Sequence, residues 1–285
     1  MAPLYTAAKC QGATGAAAKI ALRLAPMAMP SWEDLPARRE EALNALAYFT
    51  RLRFTGRAVL RPGDLAKSAW AFPLVGLAIG VVGTIVYDLA ALVGIPPLVS
   101  GLLAIGATAI ISGGLHEGGL AHAVEGLSGG HNAEERLETM RAGHIGVYGI
   151  VAIILSVGLR GAALMVLGNA LGMLGAVAGL VAAHALARGL LAPALLWGKP
   201  AAHDTLDAGT PSLINTGLSV AIGLLAAILA MGFMPALLAL ILGGAAMASV
   251  LYAARARAGG YTGEVLGAME QAGEIVILLV AAAWA

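Results

Sequence analysis

The sequence predicts an all-α, polytopic integral membrane protein with about six or seven transmembrane helices. Of its 285 residues, 59% are hydrophobic and only 12% are charged, about half the charged fraction of a typical soluble domain. The chain is rich in glycine, with 39 residues, and poor in aromatic residues, at 5%. Small residues let helices approach closely in lipid, where no hydrophobic force drives helices together. The composition therefore favours packed membrane helices over a soluble core.

The first 40 residues are predicted to form a cytoplasmic leader, with disorder left open as an alternative to local structure. Ten of the seventeen Lys and Arg residues precede residue 68, ahead of the first long apolar run. This asymmetry predicts a cytoplasmic N-terminus and a place in the inner (cytoplasmic) membrane. The single cysteine, Cys10, excludes a disulfide framework within the chain. A net charge of +1 gives no general attraction to nucleic acid.

Residues 41–285 are predicted to form a single membrane-embedded domain. Near its start, Leu43, Leu46 and Thr50 recur at helical spacing and basic residues follow, which predicts an amphipathic helix at the membrane interface over residues 40–53. A spanning helix needs roughly 20 apolar residues. The candidate spans are 69–87, 89–111, 147–168, 171–197, 213–233, 235–252 and 275–285. Pro96 and Pro97 are expected to confine the second of these to about 98–113.

Polar segments separate the spans at 112–146, 198–212 and 253–274. Within the first of these, acidic and basic residues predict a helix over 133–141. The first segment contains four candidate ligands within ten residues, namely His116, Glu117, His122 and Glu125. On a helix, His122 and Glu125 share a face. Carboxylate oxygens suit Mg²⁺, whereas imidazole shifts the preference toward transition metals. Spacing alone leaves two interpretations open: a site for a cation or phosphate, and polar ends of spans in interfacial water.

Two further segments combine basic or hydroxyl side chains with glycine. Arg141 and His144 lie in MRAGHIG, where a cation accompanies backbone that can approach a phosphate closely. Thr262 and Glu264 lie in GGYTGE, before the last apolar run. For Arg141 the alternative is an arginine at the membrane interface.

Arg160 and Arg188 interrupt otherwise apolar runs. A charge inside the membrane is costly unless it faces a polar cavity or a partner, so both are candidates for a functional site. For Arg160 the alternative is a side chain that reaches the interface. Intramembrane arginines also suit a small transporter, although no pair of interrupted helices repeats along the chain.

Four segments, taken in order, resemble the cobalamin synthase family (adenosylcobinamide-GDP ribazoletransferase) over residues 41–285. The first two are LAYFTRL at 46–52 and FPLVG at 72–76. The third comprises GGLHEGGLAHAVEG, which begins at Gly113, and MRAGHIGVYG, which ends at Gly149. The fourth is GGYTGEVLGAMEQAGE at 259–274.

The sequence departs from the family pattern at its acidic positions. Where the family has Asp, this chain has Gly118, His122, Glu125, Ala142 and Glu264, and His144 replaces the second Arg of the MR segment. The carboxylates at 118 and 142 are thereby lost, and His122 is neutral or cationic where the family has an anion. Glu125 and Glu264 keep their charge on a longer side chain. Weaker Mg²⁺ binding is the expected consequence, with Glu117 able to replace a missing ligand.

The resemblance implies a membrane transferase that joins α-ribazole, or its 5′-phosphate, to adenosylcobinamide-GDP and releases GMP. Mg²⁺ or another divalent cation is the implied cofactor, and a complex with other cobalamin-assembly enzymes is a further expectation. The implied catalytic residues are His116, Glu117, His122, Glu125 and Arg141. The implied substrate-binding residues are Arg51, His144, Arg188, Thr262 and Glu264. The implied metal ligands are Glu117, His122, Glu125 and Glu264.

Three functions thus remain after the sequence is considered. The match of the scaffold favours an active transferase. The lost carboxylates favour a catalytically degraded homologue that binds a corrinoid or scaffolds a membrane complex. The intramembrane arginines leave a small transporter as the least favoured alternative.

Overall fold

The computed structural model describes residues 35–52, 61–202 and 206–285, so the predicted leader lies almost wholly outside the described residues. Twelve α-helices occupy most of the described chain. They are α1 (Leu35–Phe49), α2 (Asp64–Lys67), α3 (Phe72–Leu92), α4 (Pro97–Ser112), α5 (Leu115–Ser128), α6 (Ala133–Arg141), α7 (Val147–Leu171), α8 (Met173–Gly189), α9 (Leu191–Trp197), α10 (Leu213–Met231), α11 (Phe233–Ala258) and α12 (Gly263–Trp284). A 3₁₀ helix, Ser68–Ala71, joins α2 to α3.

Six stretches of helix are long and apolar enough to cross a membrane, and a bent pair, α4 with α5, makes a possible seventh. This confirms the predicted all-α membrane fold and its six or seven spans. Helix α4 begins at Pro97, as the proline pair predicts. Its 16 residues reach only about 24 Å, and the chain then bends by 90° into α5.

Helix α1 forms where an amphipathic helix is predicted, but it begins at Leu35, inside the segment assigned to the leader. Its buried residues include Ala45 and Phe49, whereas Leu43 and Leu46 of the predicted apolar stripe are only half-buried. The ring of Phe49 packs edge-on against that of Phe72, with centroids 4.9 Å apart. Helix α1 is therefore packed against the bundle at the start of α3.

Two predicted boundaries are wrong, namely those of the polar break at 253–274 and of the short last span at 275–285. Helix α11 continues to Ala258, and α12 begins at Gly263. The acidic residues of α12 are compatible with a span because two of them, Glu270 and Glu274, pair with arginines inside the bundle. The predicted run 171–197 divides into α8 and α9.

The polar interlude at 112–146 is not a plain loop. It contains α5, which packs between α7 and α12, and the predicted acidic-basic helix is confirmed as α6. The connections at 113–146, 198–212 and 259–262 share one face of the bundle: Arg136 donates to the carbonyl of Arg257, next to the last of them, and the N–H of Ala201 donates to the carbonyl of Tyr261. The short turns at 93–96, 172 and 232 lie at the opposite face.

Helices α8 and α12 form the centre of the bundle, with most of their surfaces buried. Helix α8 packs closely on α3 because glycines allow it: Gly76 lies against the backbone of His184, and a Cβ at Gly80 would come within 2.8 Å of the carbonyl oxygen of Leu180. Such close helix packing fixes the positions of polar side chains that α8 carries into the core.

Candidate active site

The candidate active site forms where α5 enters the bundle. Gly113 and Gly114 both have positive φ, at 70° and 66°, a conformation that glycine adopts at little cost. These two residues turn the chain at the end of α4, so that the first turn of α5 points its polar side chains toward α12. His116 is buried and Glu117 is largely buried.

Helices α5 and α12 touch through two glycines. A Cβ at Gly119 would lie 2.9 Å from the Cα of Gly267, and a Cβ at Gly267 would lie 3.0 Å from the Cα of Gly119. No larger residue fits at either position without moving a backbone. This contact brings the GGLHEGG segment beside the GGYTGEVLGAMEQAGE segment. The first segment begins at Gly113 and the second at Gly259, 146 residues later.

A network of five charged side chains lies behind this contact. Arg188 on α8 donates to Glu274 Oε1 at 2.9 Å, and its Nη1 lies 2.6 Å from Glu270 Oε1 as an ion pair without hydrogen-bond geometry. Arg160 on α7 donates to Glu274 Oε2 at 2.9 Å and to Glu117 Oε1 at 3.4 Å. Helices α5, α7, α8 and α12 are therefore joined by one set of ion pairs.

Two histidines extend the network. His116 Nδ1 lies 3.2 Å from Arg188 Nη2 and 3.4 Å from Glu270 Oε2. His184, one helical turn before Arg188, contacts both the guanidinium of Arg188 and the carboxylate of Glu274. With Nδ1 of His116 accepting from the guanidinium, the neutral ring carries its proton on Nε2.

The network lies deep in the membrane span and is largely dry. Arg160 and Arg188 are 2% and 1% exposed, and Glu270 and Glu274 are 0% and 1% exposed. Glu274 is about 16 Å along α12 from its first residue. Unpaired charges at such depth are costly, and each charge here has an opposite partner. The side chain of Arg160 therefore does not extend to the membrane interface, and that alternative for Arg160 is wrong.

Four atoms of the network have no hydrogen-bond partner within the described part of the chain, namely Nε2 of His116, Oε2 of Glu117, Nε of Arg188 and Oε1 of Glu270. The Glu270 oxygen is in an ion pair with Arg188. The atoms of His116 and Glu117 both belong to the first turn of α5. A buried polar atom without a partner is costly to maintain, so these atoms are the natural contacts for a bound substrate.

The structure brings three of the predicted site residues together, namely His116, Glu117 and Arg188. The carboxylate of Glu125 instead accepts a hydrogen bond from the backbone N–H of Gly149 at 2.9 Å and fastens α5 to the first turn of α7. His122 is half-buried one turn before Glu125 on the same helix.

The remaining predicted residues lie nearer the surface. Arg141 and His144 are exposed, and Glu264 is half-buried in the first turn of α12. Thr262 is the N-cap of α12, where its hydroxyl accepts from the N–H of Val265. Arg51 is exposed; its backbone N–H donates to the carbonyl of Ile111 at 2.8 Å.

The predicted metal ligands do not gather into one group among the residues that are described. The only described side chains that offer three donor atoms within 4.8 Å of one another are His184, Glu270 and Glu274. Both carboxylates in that group are paired with Arg188, which already supplies a positive charge. Metal binding by Glu117, His122, Glu125 and Glu264 stays a prediction.

Three residues of the network were missed as site residues by the sequence analysis. Glu270 and Glu274 lie four residues apart in a segment that reads as a polar break. His184 lies in an apolar run without a recognisable motif. The spacing of four residues between His184 and Arg188 was the available signal, because it places both side chains on one helical face.

Comparison with known proteins identifies relatives across most of the chain. Residues 41–282 match the sequence profile of cobalamin-5-phosphate synthase. The adenosylcobinamide-GDP ribazoletransferase of Bradyrhizobium diazoefficiens is 41% identical over 242 residues, which cover 84% of this chain and 92% of that protein. The enzyme of the same name from Ralstonia nicotianae is 33% identical over 251 residues, which cover 84% of this chain and 93% of that protein. No solved structure matches the chain.

Proposed function

This chain belongs to the cobalamin-5-phosphate synthase family, and we propose that the junction of α5 and α12 is where it transfers α-ribazole. The protein is a membrane transferase that joins α-ribazole to adenosylcobinamide-GDP and releases GMP, the last step of cobalamin assembly. The contact between Gly119 and Gly267 is the observation that supports this location for the active site. It unites two distant segments of family resemblance around a buried network of charges.

The unpartnered atoms at the start of α5 suit the proton transfers of this reaction. A hydroxyl of α-ribazole attacks the phosphorus that bears the cobinamide, a new P–O bond forms, and the P–O bond to GMP breaks. Glu117 Oε2 is the acceptor that we assign to the hydroxyl proton, and the Nε2–H of His116 is the donor that we assign to a phosphate oxygen. The two arginines hold the orientation of both side chains through their ion pairs.

We propose a divalent cation, Mg²⁺ foremost, beside α5, with Glu117, His122, Glu125 and Glu264 as the ligands inferred from the resemblance. Carboxylate oxygens are hard donors of the kind that Mg²⁺ prefers. A bound cation supplies positive charge to the phosphate oxygens and makes GMP a better leaving group.

We also propose that the face with the long connections is cytoplasmic, which puts the N-terminus in the cytoplasm and the protein in the inner membrane. Lys199 lies in one of these connections and Arg141 in another, whereas the short turns at 93–96, 172 and 232 contain no Lys or Arg. That distribution is the one expected for a cytoplasmic face. Contacts in the proposed complex with other cobalamin-assembly enzymes belong on this face.

A catalytically degraded homologue is the second candidate, and one observation favours it. Position 118 lies one residue after Glu117 and faces open space, with no atom within 4 Å of a Cβ built there. An Asp side chain would fit at this position, yet the chain has Gly118. The loss of a carboxylate therefore has no steric cause.

The deciding experiment incubates membranes that contain the protein with adenosylcobinamide-GDP, α-ribazole and either Mg²⁺ or Mn²⁺. We expect cobalamin and GMP in equal amounts, and membranes from cells without the protein serve as the control. An absence of both products with either metal would contradict the transferase.

A triple variant with Gly118→Asp, His122→Asp and Ala142→Asp separates the two candidates. If the native chain is an active transferase, the variant changes its rate and its metal requirement but does not create the activity. If product forms only in the variant, the native chain is the degraded homologue.

A further inference from the structure

A second site lies outside the buried network, in an open groove of about 720 Å³ beside α6. One wall is a face of α6 formed by Glu134, Leu137, Glu138 and Arg141. The opposite wall includes Lys199 from the connection between α9 and α10. A volume of this size is typical of sites for small molecules and cofactors.

The wall that carries Lys199 is held firmly in place. The carbonyl of Lys199 accepts from the N–H of Tyr261 at 2.9 Å, and the N–H of Ala201 donates to the carbonyl of Tyr261 at 2.8 Å. Gly260 makes this approach possible, because a Cβ at that position would collide with the backbone of residues 199–201. The groove is therefore part of the folded structure and joins the N-terminal end of α12.

Charge is distributed along the groove in a definite order. Glu134 lies at one end of the α6 face and Arg141 at the other, about 10 Å apart along the helix axis. Neither the guanidinium of Arg141 nor the ammonium of Lys199 has an acidic partner within 4 Å among the described residues. Leu137 and Glu138 lie between the two ends, so the middle of the α6 wall has one apolar and one acidic side chain.

We propose that this groove binds the guanosine monophosphate portion of the activated substrate, and of the GMP product, an inference that rests on the proposed function. The Watson–Crick edge of guanine presents two donors, N1–H and the 2-amino group, and the carboxylate of Glu134 is an acceptor for both. Arg141 and Lys199 are cationic donors for the phosphate. The spacing of about 10 Å along α6 is comparable to the extent of a nucleoside monophosphate from its base edge to its phosphate.

The groove is also in a suitable place for the transfer. Gly259 lines it, three residues before the N-cap Thr262, and the Thr262 hydroxyl lies 3.9 Å from the Met140 sulfur, beside Arg141. A phosphate bound between Arg141 and Lys199 therefore lies close to the first turn of α12. The groove would hold the guanosine monophosphate portion outside the bundle, beside the N-terminal end of α12.

The test measures GMP binding to the full-length protein in lipid nanodiscs by isothermal titration calorimetry. GMP is compared with IMP, which lacks the 2-amino group, and with guanosine, which lacks the phosphate. We expect the wild type to bind GMP about 10-fold or more tightly than IMP, because a paired hydrogen bond to a base is lost. This comparison needs no altered protein.

Two substitutions then locate the contacts. Glu134→Gln should remove the preference for GMP over IMP, and Lys199→Met should weaken GMP binding without changing that of guanosine. Arg255→Met, which removes an exposed cation outside the groove, is the matched control and should leave all three affinities unchanged.

The results distinguish this inference from the proposed function. Cobalamin synthesis with GMP affinities that are unaffected by Glu134→Gln and Lys199→Met would overturn the groove and leave the transferase intact. GMP binding with the expected dependence but without cobalamin synthesis would support the groove and contradict the transferase. An absence of GMP binding to the wild type at millimolar concentration would overturn the groove.

Discussion

The buried network and the α6 groove hold their charges in opposite ways. In the network, Arg160 and Arg188 are almost completely buried and are paired with glutamates from other helices. In the groove, Arg141 is exposed and, like Lys199, lies beside an open volume. Buried charges must be paired to be tolerated, whereas exposed charges cost little when unpaired. The network is therefore expected to support both folding and chemistry, and the groove to support recognition alone.

Removal of Arg188 is the most severe test of this difference. Arg188→Met would remove the only arginine that pairs with the buried Glu270 among the described residues, and one of the two arginines that pair with Glu274. The expected loss of unfolding free energy is about 3–5 kcal/mol, measured by thermal or denaturant unfolding of the purified protein in nanodiscs. Arg141→Met is the matched control and should change it little.

Arg160→Met sharpens the same comparison, because Glu274 keeps its contact with Arg188 when Arg160 is lost. Its destabilisation should therefore be smaller than that of Arg188→Met. Equal stability of both variants and the wild type would show that the buried ion pairs do not hold the helices together.

Gly119→Ala tests the contact between α5 and α12. The new Cβ would lie 2.9 Å from the Cα of Gly267 and 3.0 Å from the carbonyl oxygen of Glu264, so a backbone must move. We expect a loss of about 1–3 kcal/mol of stability together with most of the transferase activity. Gly118→Ala, next to it on the same helix, faces open space and should retain the stability of the wild type. Equal behaviour of the two variants would refute the glycine contact.

Glu125→Gln is expected to have an intermediate effect on the free energy of unfolding. The carboxylate of Glu125 accepts from the backbone N–H of Gly149, and a neutral amide would weaken this charge-assisted bond by about 1 kcal/mol. The measurement is again unfolding in nanodiscs. If Glu125 is chiefly a metal ligand, the substitution would instead raise the Mg²⁺ concentration required for activity and leave stability unchanged.

The smallest effect on stability is expected in the groove. Glu134→Gln and Lys199→Met should each change the unfolding free energy by less than about 0.5 kcal/mol, as is usual at exposed positions. A loss comparable to that of Arg188→Met would mean that the groove is a structural element and not a binding surface.

Local sequence signals predicted much of the fold and only part of the site. Proline at 96–97 correctly marked the start of α4, and the acidic-basic pattern of 133–141 correctly predicted α6. The extent of α12 could not be predicted in the same way, because hydropathy counts Glu270 and Glu274 as polar. Their pairing with Arg188 depends on how α8 packs against α12.

The site shows the same limit. Family motifs indicated His116 and Glu117, and the cost of intramembrane charge indicated Arg160 and Arg188. His184 had no such signal apart from its spacing to Arg188. The role of Glu125 in joining α5 to α7 also required the structure, because its partner is a backbone N–H that lies 24 residues later. Pairing between distant elements is the information that a single sequence does not provide.

We propose that the junction of α5 and α12 carries out the ribazole transfer. The most direct test of this claim is the rate of GMP release from adenosylcobinamide-GDP by purified protein in nanodiscs, with and without α-ribazole, in the wild type, Gly118→Ala and Gly119→Ala. We predict GMP release that depends on α-ribazole and equals cobalamin formation in the wild type and Gly118→Ala, and that is largely lost in Gly119→Ala. Full ribazole-dependent release in Gly119→Ala, or none in the wild type, would contradict the claim.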